Sequence, residues 1–460
     1  MKELDTTRAA PPRPDSLVYR ILRLFTEVHP GEAVTAVLLV LNVYLLMTCY
    51  YIIKPVRDAL INAGKGAEYK SYLSAATAFV LILVVKAFSR LASRVPRQKL
   101  IATVLAFFIS NLVLFYGLYL GGIPLGTMGI VFFVWAGVFS VMLPAQFWGF
   151  ANDIYTEAEG RRLFPLIAFG ATFGALTGSA IVKALVASLG CYAMMIVAGA
   201  VLSACVFLTL IVHRREVDRI RLKSREAPAL GDKPLAKGGG FRLLFSSRYL
   251  LLIAFFIMVL NLVNTNGQYI LDRVFSRAAQ EAAAAGTMGG LSTVDYLGRL
   301  YADFFTTFNL LAVVIQLFLV SRIFRAVGLR GALFVLPVLA FGGYAAVSLG
   351  ATLLAVKWAK AVENATDYSL MNTTRHALFL ITSREAKYKA KAAADTFFHR
   401  SGDVLSALAV FLGTSVFAFK IEGFAHFNLA VVAVWIALGV LIAREHRKLT
   451  GGGTRPAGGP

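Results

Sequence analysis

The chain is short of charge and of cysteine. Charged residues make up 15% of it and hydrophobic residues 58%, too apolar for a soluble globular protein, in which about 45–50% is usual. With a mean hydropathy of +0.70 it reads as an integral helical membrane protein embedded in a lipid bilayer. Three cysteines, Cys49, Cys191 and Cys205, each fall in an apolar run; they imply no disulfide framework and are expected to be small buried hydrophobes. His213, His376, His399 and His426 lack metal-ligand spacing, so no metal is assigned, and no cofactor. Gly64-Lys65-Gly66 lacks the spacing of a phosphate loop and a strand before it, which argues against an ATP-hydrolysing pump. No nucleophile motif suggests an intramembrane enzyme, and the chain is expected not to be one. Residues 1–32 mix both charge signs with Pro11, Pro12 and Pro14 and show no secretory signal ahead of the first span.

Acidic residues are also scarce, 25 against 46 Lys and Arg, for a net charge of +21. In a soluble chain this would suggest nucleic acid. Here roughly 34 of the 46 basic residues fall in the two tails and in alternate loops, the positive-inside pattern, which needs no nucleic acid and puts both termini in the cytoplasm. The expected location is a bacterial inner membrane.

What is abundant is long apolar segments. Twelve are expected, near 33–53, 71–89, 100–120, 127–150, 163–186, 190–212, 248–271, 297–320, 331–350, 353–380, 400–420 and 426–443. The expected fold is an all-α membrane protein with twelve transmembrane helices in two pseudo-symmetric six-helix halves. The domains are a cytoplasmic tail 1–32, a six-helix bundle 33–212, a basic flexible linker 213–247, a second bundle 248–443 and a cytoplasmic tail 444–460. Echoes link the halves. Ser89-Arg90-Leu91 matches Ser321-Arg322-Ile323, Glu159-Gly160-Arg161-Arg162 matches Glu385-Ala386-Lys387, and Tyr51-Ile52-Ile53 matches Tyr269-Ile270-Leu271. Such repeats are the architecture of secondary transporters, with a site near the midplane between halves.

The polar residues inside spans carry the functional reading. Residues 355–391 occupy the place of a span yet hold Lys357, Lys360, Glu363, Asp367 and Arg375. Lys360, Asn364, Asp367, Met371 and Arg375 recur at helical steps and predict one polar stripe. A charge facing lipid costs about 2.5–3.5 kcal/mol or more, so the stripe should face protein or a wet cavity. Span 1 ends Lys54-Pro55-Val56-Arg57-Asp58. If the helix bends at Pro55 and continues, Lys54, Arg57 and Asp58 enter the solute path; if it stops there, they cap the membrane boundary. In span 4, Phe147-Trp148-Gly149-Phe150 runs into Asn152 and Asp153, either an interfacial aromatic belt or a stacking platform for a planar ring. Gly170, Gly174 and Gly178 form a face for close helix packing. Asn261, Asn264, Asn266, Gln268 and Asp272 in span 7, with Asp303, Asn309 and Gln316 in span 8, exceed what helix–helix bonding should absorb and are expected to wet a cavity.

Tyr50 to Asp58, Phe147 to Asp153 with Glu157, Arg161, Arg162 and Phe164, and Tyr368-Ser369-Leu370 through Lys387, Lys389, Lys391, Ala392 and Asp395 together resemble the ATP/ADP translocase family. These are nucleotide exchangers of plastids and obligate intracellular bacteria, related in fold to the major facilitator superfamily. The resemblance implies exchange of a nucleoside triphosphate for a diphosphate, with basic residues of spans 1 and 10 meeting the phosphates. Arg57 and Arg375 stand at those positions, where the family has lysine. After Tyr-Ser-Leu the family usually reads Phe-Asp-Pro-Thr-Lys-Glu; here Met371-Asn372-Thr373-Thr374-Arg375-His376 lacks a carboxylate on each side of the cation, which leaves the identity of the nucleotide open.

Three functions are compatible with these residues. The first is an exchanger of nucleotides or a related phosphorylated anion, its substrate met by Lys54, Arg57, Asp58, Asn152, Asp153, Lys360, Glu363, Asp367 and Arg375. The second is a proton-coupled transporter of another organic anion, with Asp367, Glu363 or Asp303 carrying the proton. The third is a non-transporting assembly or sensor protein whose basic linker docks anionic lipid or a partner. The sequence is compatible with a monomer and leaves the oligomeric state open.

Overall fold

The computed structural model describes residues 29, 32–92, 97–226, 240–350, 352–383, 386 and 390–451. No strand occurs among them. The helices are α1 (Ala33–Gly64), α2 (Ala67–Ala92), α3 (Arg97–Leu120), α4 (Leu125–Ile154), α5 (Glu157–Glu226), α6 (Gly240–Ser246), α7 (Arg248–Ala284), α8 (Thr293–Val314), α9 (Val320–Leu349), α10 (Leu353–Thr366), α11 (Asn372–Leu378), α12 (Lys391–Ala393), α13 (His399–Ser415) and α14 (Ile421–Gly451). Wide turns with i→i+5 bonding, Ile315–Leu319, Asp367–Met371 and Ala394–Phe398, join α8 to α9, α10 to α11 and α12 to α13. Several starts are written in the sequence: the side chains of Ser247, Ser292 and Thr352 accept from the N–H groups of Leu250, Asp295 and Ala355, satisfying donors that a helix start leaves free.

Each expected span lies largely within helix. Among the described residues eight stretches are long and apolar enough to cross a membrane, and two of these, of 55 and 57 residues, are broken by left-handed glycines at Gly190 (φ 81°) and Gly328 (φ 66°). Large apolar side chains such as Phe79, Leu83, Phe207 and Val338 are more than half exposed, as a lipid-facing surface requires. The protein is an integral, multi-pass membrane protein.

One open alternative is resolved and one expected boundary moves. Span 1 does not stop at Pro55: α1 runs through it to Gly64, so Lys54, Arg57 and Asp58 sit inside a helix. The flexible linker does not begin at His213 either, because α5 continues to Glu226. His213 to Glu226 is rich in arginine and glutamate and contains neither glycine nor proline, so nothing local ends the helix. Residues 227–239 lie outside the described residues, as do most of tail 1–32, the end of tail 444–460, Glu385, Lys387 and Lys389 and the side chains of Glu157, Arg161 and Ala392.

One end of the bundle, here the near end, gathers the start of α1, both ends of α5, the start of α7 and the end of α14. Arg162 of α5 pairs with Glu32 at 3.0 Å, Thr35 donates to Glu216, and Arg248 approaches Glu445 at 3.9 Å. The far end holds the α1–α2 turn, Gly190 and the start of α8. The glycine face of α5 packs on α1 as expected. A Cβ on Gly170, Gly174 or Gly178 would lie 2.7, 2.2 or 2.3 Å from the carbonyl oxygens of Val40, Tyr44 and Thr48, and Thr48 Oγ1 donates across the contact to Gly174 O at 3.2 Å. The cysteines are free and buried.

Replacing Gly174 by valine must push two helix backbones apart. Gly174→Val should lose the monodisperse folded species in detergent, overpacking costing about 1–3 kcal/mol or more, whereas Gly117→Ala, with nothing within 4 Å of its Cβ position, should leave the melting temperature unchanged or higher. Size-exclusion profiles and thermal melts decide, and equal stability of the two variants would contradict the packing account.

Candidate functional site

The extended α1 carries its charges between the first and second halves of the chain. Lys54 Nζ stands 4.6 Å from the ring centre of Phe305, 5.1 Å from Tyr51, 5.7 Å from Phe308, 5.9 Å from Tyr368 and 6.0 Å from Tyr50. Two of these rings belong to α1, two to α8 and one to the wide turn after α10. Ring faces attract a cation, but they do not neutralise it. Among the described residues no carboxylate lies within ion-pairing distance of Lys54.

One turn on, Arg57 binds Asp58 through Nη2 at 2.7 Å and Nε at 2.8 Å, its guanidinium 4.8 Å from the ring centre of Phe133. Asp58 is 1% exposed and has a second cation, Lys70 of α2, at 3.4 Å. Lys70 reaches Asp272 of α7 at 2.8 Å. Tyr301 of α8 donates to the same Asp272 oxygen at 2.6 Å, and Gln268 does so at 3.0 Å. Asn62 donates to Tyr301 Oη and to Asp272 O, and accepts from Ser276 Oγ. Glu68 completes the layer with Arg273 at 2.5 Å and Tyr269 at 3.1 Å. This is a buried latch joining the two halves of the chain, and with Cys191 N–H on Asp295 Oδ1 at 2.7 Å it closes the far end. On the near side of Lys54, Tyr368, Asn372 and His376 are exposed.

Arg375 is half-buried, and its buried Nε has no partner. It lines a cavity of about 160 Å³ with Asn372, His376, Lys391, Asp395 and His399, in which Lys391 Nζ lies 2.5 Å from His376 Nδ1. Tyr368 lies close enough to feel the charges of both Arg57 and Arg375, and His399 those of Arg375, Arg400, Asp367 and Asp403. Tyr368 is thus the residue that connects the two groups, its ring 5.9 Å from Lys54 Nζ and its position seven residues before Arg375.

Other candidates stand elsewhere. Lys360, 3% exposed, is bound at 2.9 Å to Glu363 and at 2.6 Å to Asn264 Oδ1, and Tyr344 of α9 donates to Glu363 at 2.7 Å. This pair is held among α7, α9 and α10. Asp367 accepts from Asn264 at 3.5 Å, and its other oxygen is buried without a partner. Asn152 and Asp153 occupy the near end of α4. Tyr50 stacks on Phe139 of that helix, and the 13 residues from there to Asn152 span roughly 20 Å, so neither reaches the surroundings of Lys54. Trp148, partly buried, packs edge-on against Phe147 and Phe164.

The polar stripe on 360–375 faces protein, one of its two expected settings, and not a wet cavity along its length: Lys360, Asn364, Asp367 and Met371 are 3, 7, 9 and 0% exposed and Arg375 is half-buried. The wide turn Asp367–Met371 adds residues to one turn and rotates the helix beyond it, so that Met371 is fully buried at 0% exposure while Tyr368 turns out at 53%. Nor do the amides of α7 wet a cavity as a set. Asn261 donates to Asp403 and His399 O, and Asn266 to Asn428. On α8, Asn309 donates to Ala175 O and approaches Ser179. Asp303 is held by Lys183 at 2.6 Å and by Lys357. Sequence reading missed Lys70 and Arg400. The signal for Lys70 was a lysine in the first turn of an apolar helix; its partner Asp272 lies 202 residues away.

Loosening the latch should expose the far end. With Cys49 and Cys205 replaced by alanine, Lys70→Met is expected to raise the labelling rate of Cys191 by a membrane-impermeant thiol reagent several-fold. An unchanged rate would mean that Lys70 does not hold the two halves together.

Comparisons with known proteins bear on this arrangement. "ADP,ATP carrier protein 1" of Chlamydia muridarum is 27% identical over 476 residues, covering 82% of this chain and 85% of the relative. The protein of the same name from Chlamydia trachomatis is 27% identical over 445 residues, covering 79% of each. Among solved structures, a bacterial homologue of the iron transporter ferroportin in an inward-facing state matches with a TM-score of 0.63 at 13% identity, covering 89% of this chain and 98% of that one. The peptide transporter POT in complex with sulfate matches with 0.61 at 10% identity, covering 94% and 99%. The fold is thus the major facilitator-like, all-α fold of membrane transporters. The family model of the TLC ATP/ADP transporters matches residues 128–446, more than half of the chain, and the chain belongs to that family.

Proposed function

We propose that this chain is a secondary transporter that exchanges nucleotides, a triphosphate against a diphosphate, by alternating access. The name of the chlamydial relatives supports the cargo. The observation that carries the reading is Lys54, a cation placed between the two halves of the chain and surrounded by rings, without a counter-ion of its own. In this reading the protein crosses a bacterial inner membrane twelve times as two six-helix bundles, 33–212 and 248–443, with both termini and the near end cytoplasmic. The basic segment 213–247 joins the bundles.

The steps are dictated by charge. A polyphosphate entering from the near end meets Lys54 and Arg57 on α1 and Arg375 on α11, where charge-assisted bonds are strong because water is partly excluded. Binding cations from both halves at once draws the halves together around the cargo. Arg57 then divides its bonds between phosphate and Asp58. That weakens the charge balance in which Asp58, Lys70 and Asp272 hold the far end shut, and the far end opens. Closure of the near end over an empty site would desolvate Lys54 and Arg375 with no anion to compensate, a cost of several kcal/mol. The empty carrier therefore returns slowly, and flux requires cargo in both directions.

Asp367 favours a second reading. Its buried oxygen without a partner is suited to hold a proton, whereas Glu363 and Asp303 are each engaged by two groups. In that reading a proton gradient drives uptake of an organic anion without counter-substrate.

The test is uptake of labelled ATP into proteoliposomes. Internal ADP should accelerate it many-fold, and a pH gradient without internal nucleotide should not. Arg375→Ala should abolish uptake while the protein stays monodisperse, and Arg375→Lys should retain part of it, since loss of one bond to a charged group costs about 1.5–3 kcal/mol. Transport by Arg375→Ala at near-normal affinity would place the site elsewhere, and uptake driven by pH alone would select the proton-linked reading.

A further inference from the structure

The wide turn Asp367–Met371 does something that the charge account leaves unused. Within it Ser369, Leu370 and Met371 are 2, 1 and 0% exposed and Asp367 is 9%, while Tyr368 alone is 53% exposed. A turn with an extra residue distorts the helix and is frequently kept at functional positions; here its visible effect is to present one aromatic ring. The ring stands against residues of the first half and of α8. Its centre is 5.6 Å from that of Phe308 and 5.9 Å from Lys54 Nζ, and it is near enough to Arg57 and Arg375 to feel both charges. Phe308 of α8 and Lys54 of α1 occupy part of its surroundings, so the ring stands where the two halves of the chain meet, with the rest of it uncovered. A tyrosine has no charge with which to hold phosphate. What an accessible ring supplies beside a group of cations is a surface for another planar ring.

We infer that Tyr368 is the stacking platform for the cargo's aromatic base, set beside the cations that take its phosphates. This rests on the nucleotide reading given above and adds the part of the cargo that those cations do not recognise. The arrangement assigns roles by position. Arg57 and Lys54 lie on one side of the ring, and Arg375 lies seven residues further along the chain, roughly 10 Å at helical rise, so a nucleotide stacked on Tyr368 keeps its phosphates within reach of fixed positive charge. Because every base has a π-face, stacking distinguishes a nucleotide from a bare polyphosphate more than it distinguishes one base from another. Tyr368 is then a specificity residue for nucleotides as a class, and the phosphate-binding residues are not.

The experiment compares two competitors of labelled-ATP exchange in proteoliposomes, unlabelled ATP and inorganic tripolyphosphate, which carries similar charge and no ring. Tyr368→Ala is expected to weaken inhibition by ATP roughly ten-fold or more, as loss of base–aromatic stacking does, and to leave inhibition by tripolyphosphate as in the wild type. Tyr368→Phe, which keeps the ring and removes the hydroxyl, should recover the affinity for ATP that alanine loses. GTP should behave as ATP does. Parallel weakening of ATP and tripolyphosphate would overturn the proposal and make Tyr368 a structural support of the cation site. Unchanged ATP affinity in Tyr368→Ala would overturn it as well, with nucleotide exchange still standing. Wild-type protein that takes up no ATP and binds none would instead remove the nucleotide reading, and this inference with it.

Discussion

The structure depends on how it disposes of positive charge where there is little water. Ionised groups in such a place need a partner or a wet surface, and the chain supplies both unevenly. Lys70 has two carboxylates, Lys360 has Glu363 and an amide, and Lys183 and Lys357 share Asp303. Among the described residues Lys54 has only rings around it, and Arg375 keeps one buried nitrogen without a partner. A deficit of negative charge concentrated between two halves of a transporter is itself a description of the cargo, which must bring the missing charge with it. The same deficit makes the empty, closed state unfavourable, and exchange rather than net flux results from that without a further device.

Asp58 connects the two parts of the site. One of its oxygens binds Arg57, and the other faces Lys70, which crosses to Asp272. A change of partner at Arg57 is therefore felt across the closed end through two ion pairs. Continuity of α1 through Pro55 makes this possible, because Arg57 and Asp58 are then adjacent on one helix. A helix ending at Pro55 would have separated them.

Much of this was legible in the sequence, and the rest failed for a common reason. Apolar runs located the helices, because lipid leaves few other ways to satisfy a backbone. The Gly170, Gly174 and Gly178 spacing located a close helix contact, because that property is local to three residues. Pairings between distant segments were not legible. Asn261 and Asn266 looked like cavity-lining amides until Asp403 and Asn428, on helices 142 and 162 residues away, proved to bind them. Lys70 was missed for the same reason, its partner Asp272 lying 202 residues away. The wide turn Asp367–Met371 was not legible, because no regular periodicity announces it, and Tyr368 is the residue left exposed within it. The helix through His213–Glu226 was missed because basic composition was read as flexibility, although the residues are good helix formers.

The claim at the centre is that the anionic cargo binds directly to the cation that lacks a counter-ion. A ligand that binds only the folded state raises its apparent stability, so the direct measurement is the melting temperature of purified protein with and without saturating ATP, for wild type and for Lys54→Gln. The account predicts a clear upward shift in the wild type that disappears in the variant, with both melting normally in the absence of nucleotide. Equal ATP-induced shifts in the two proteins would contradict it.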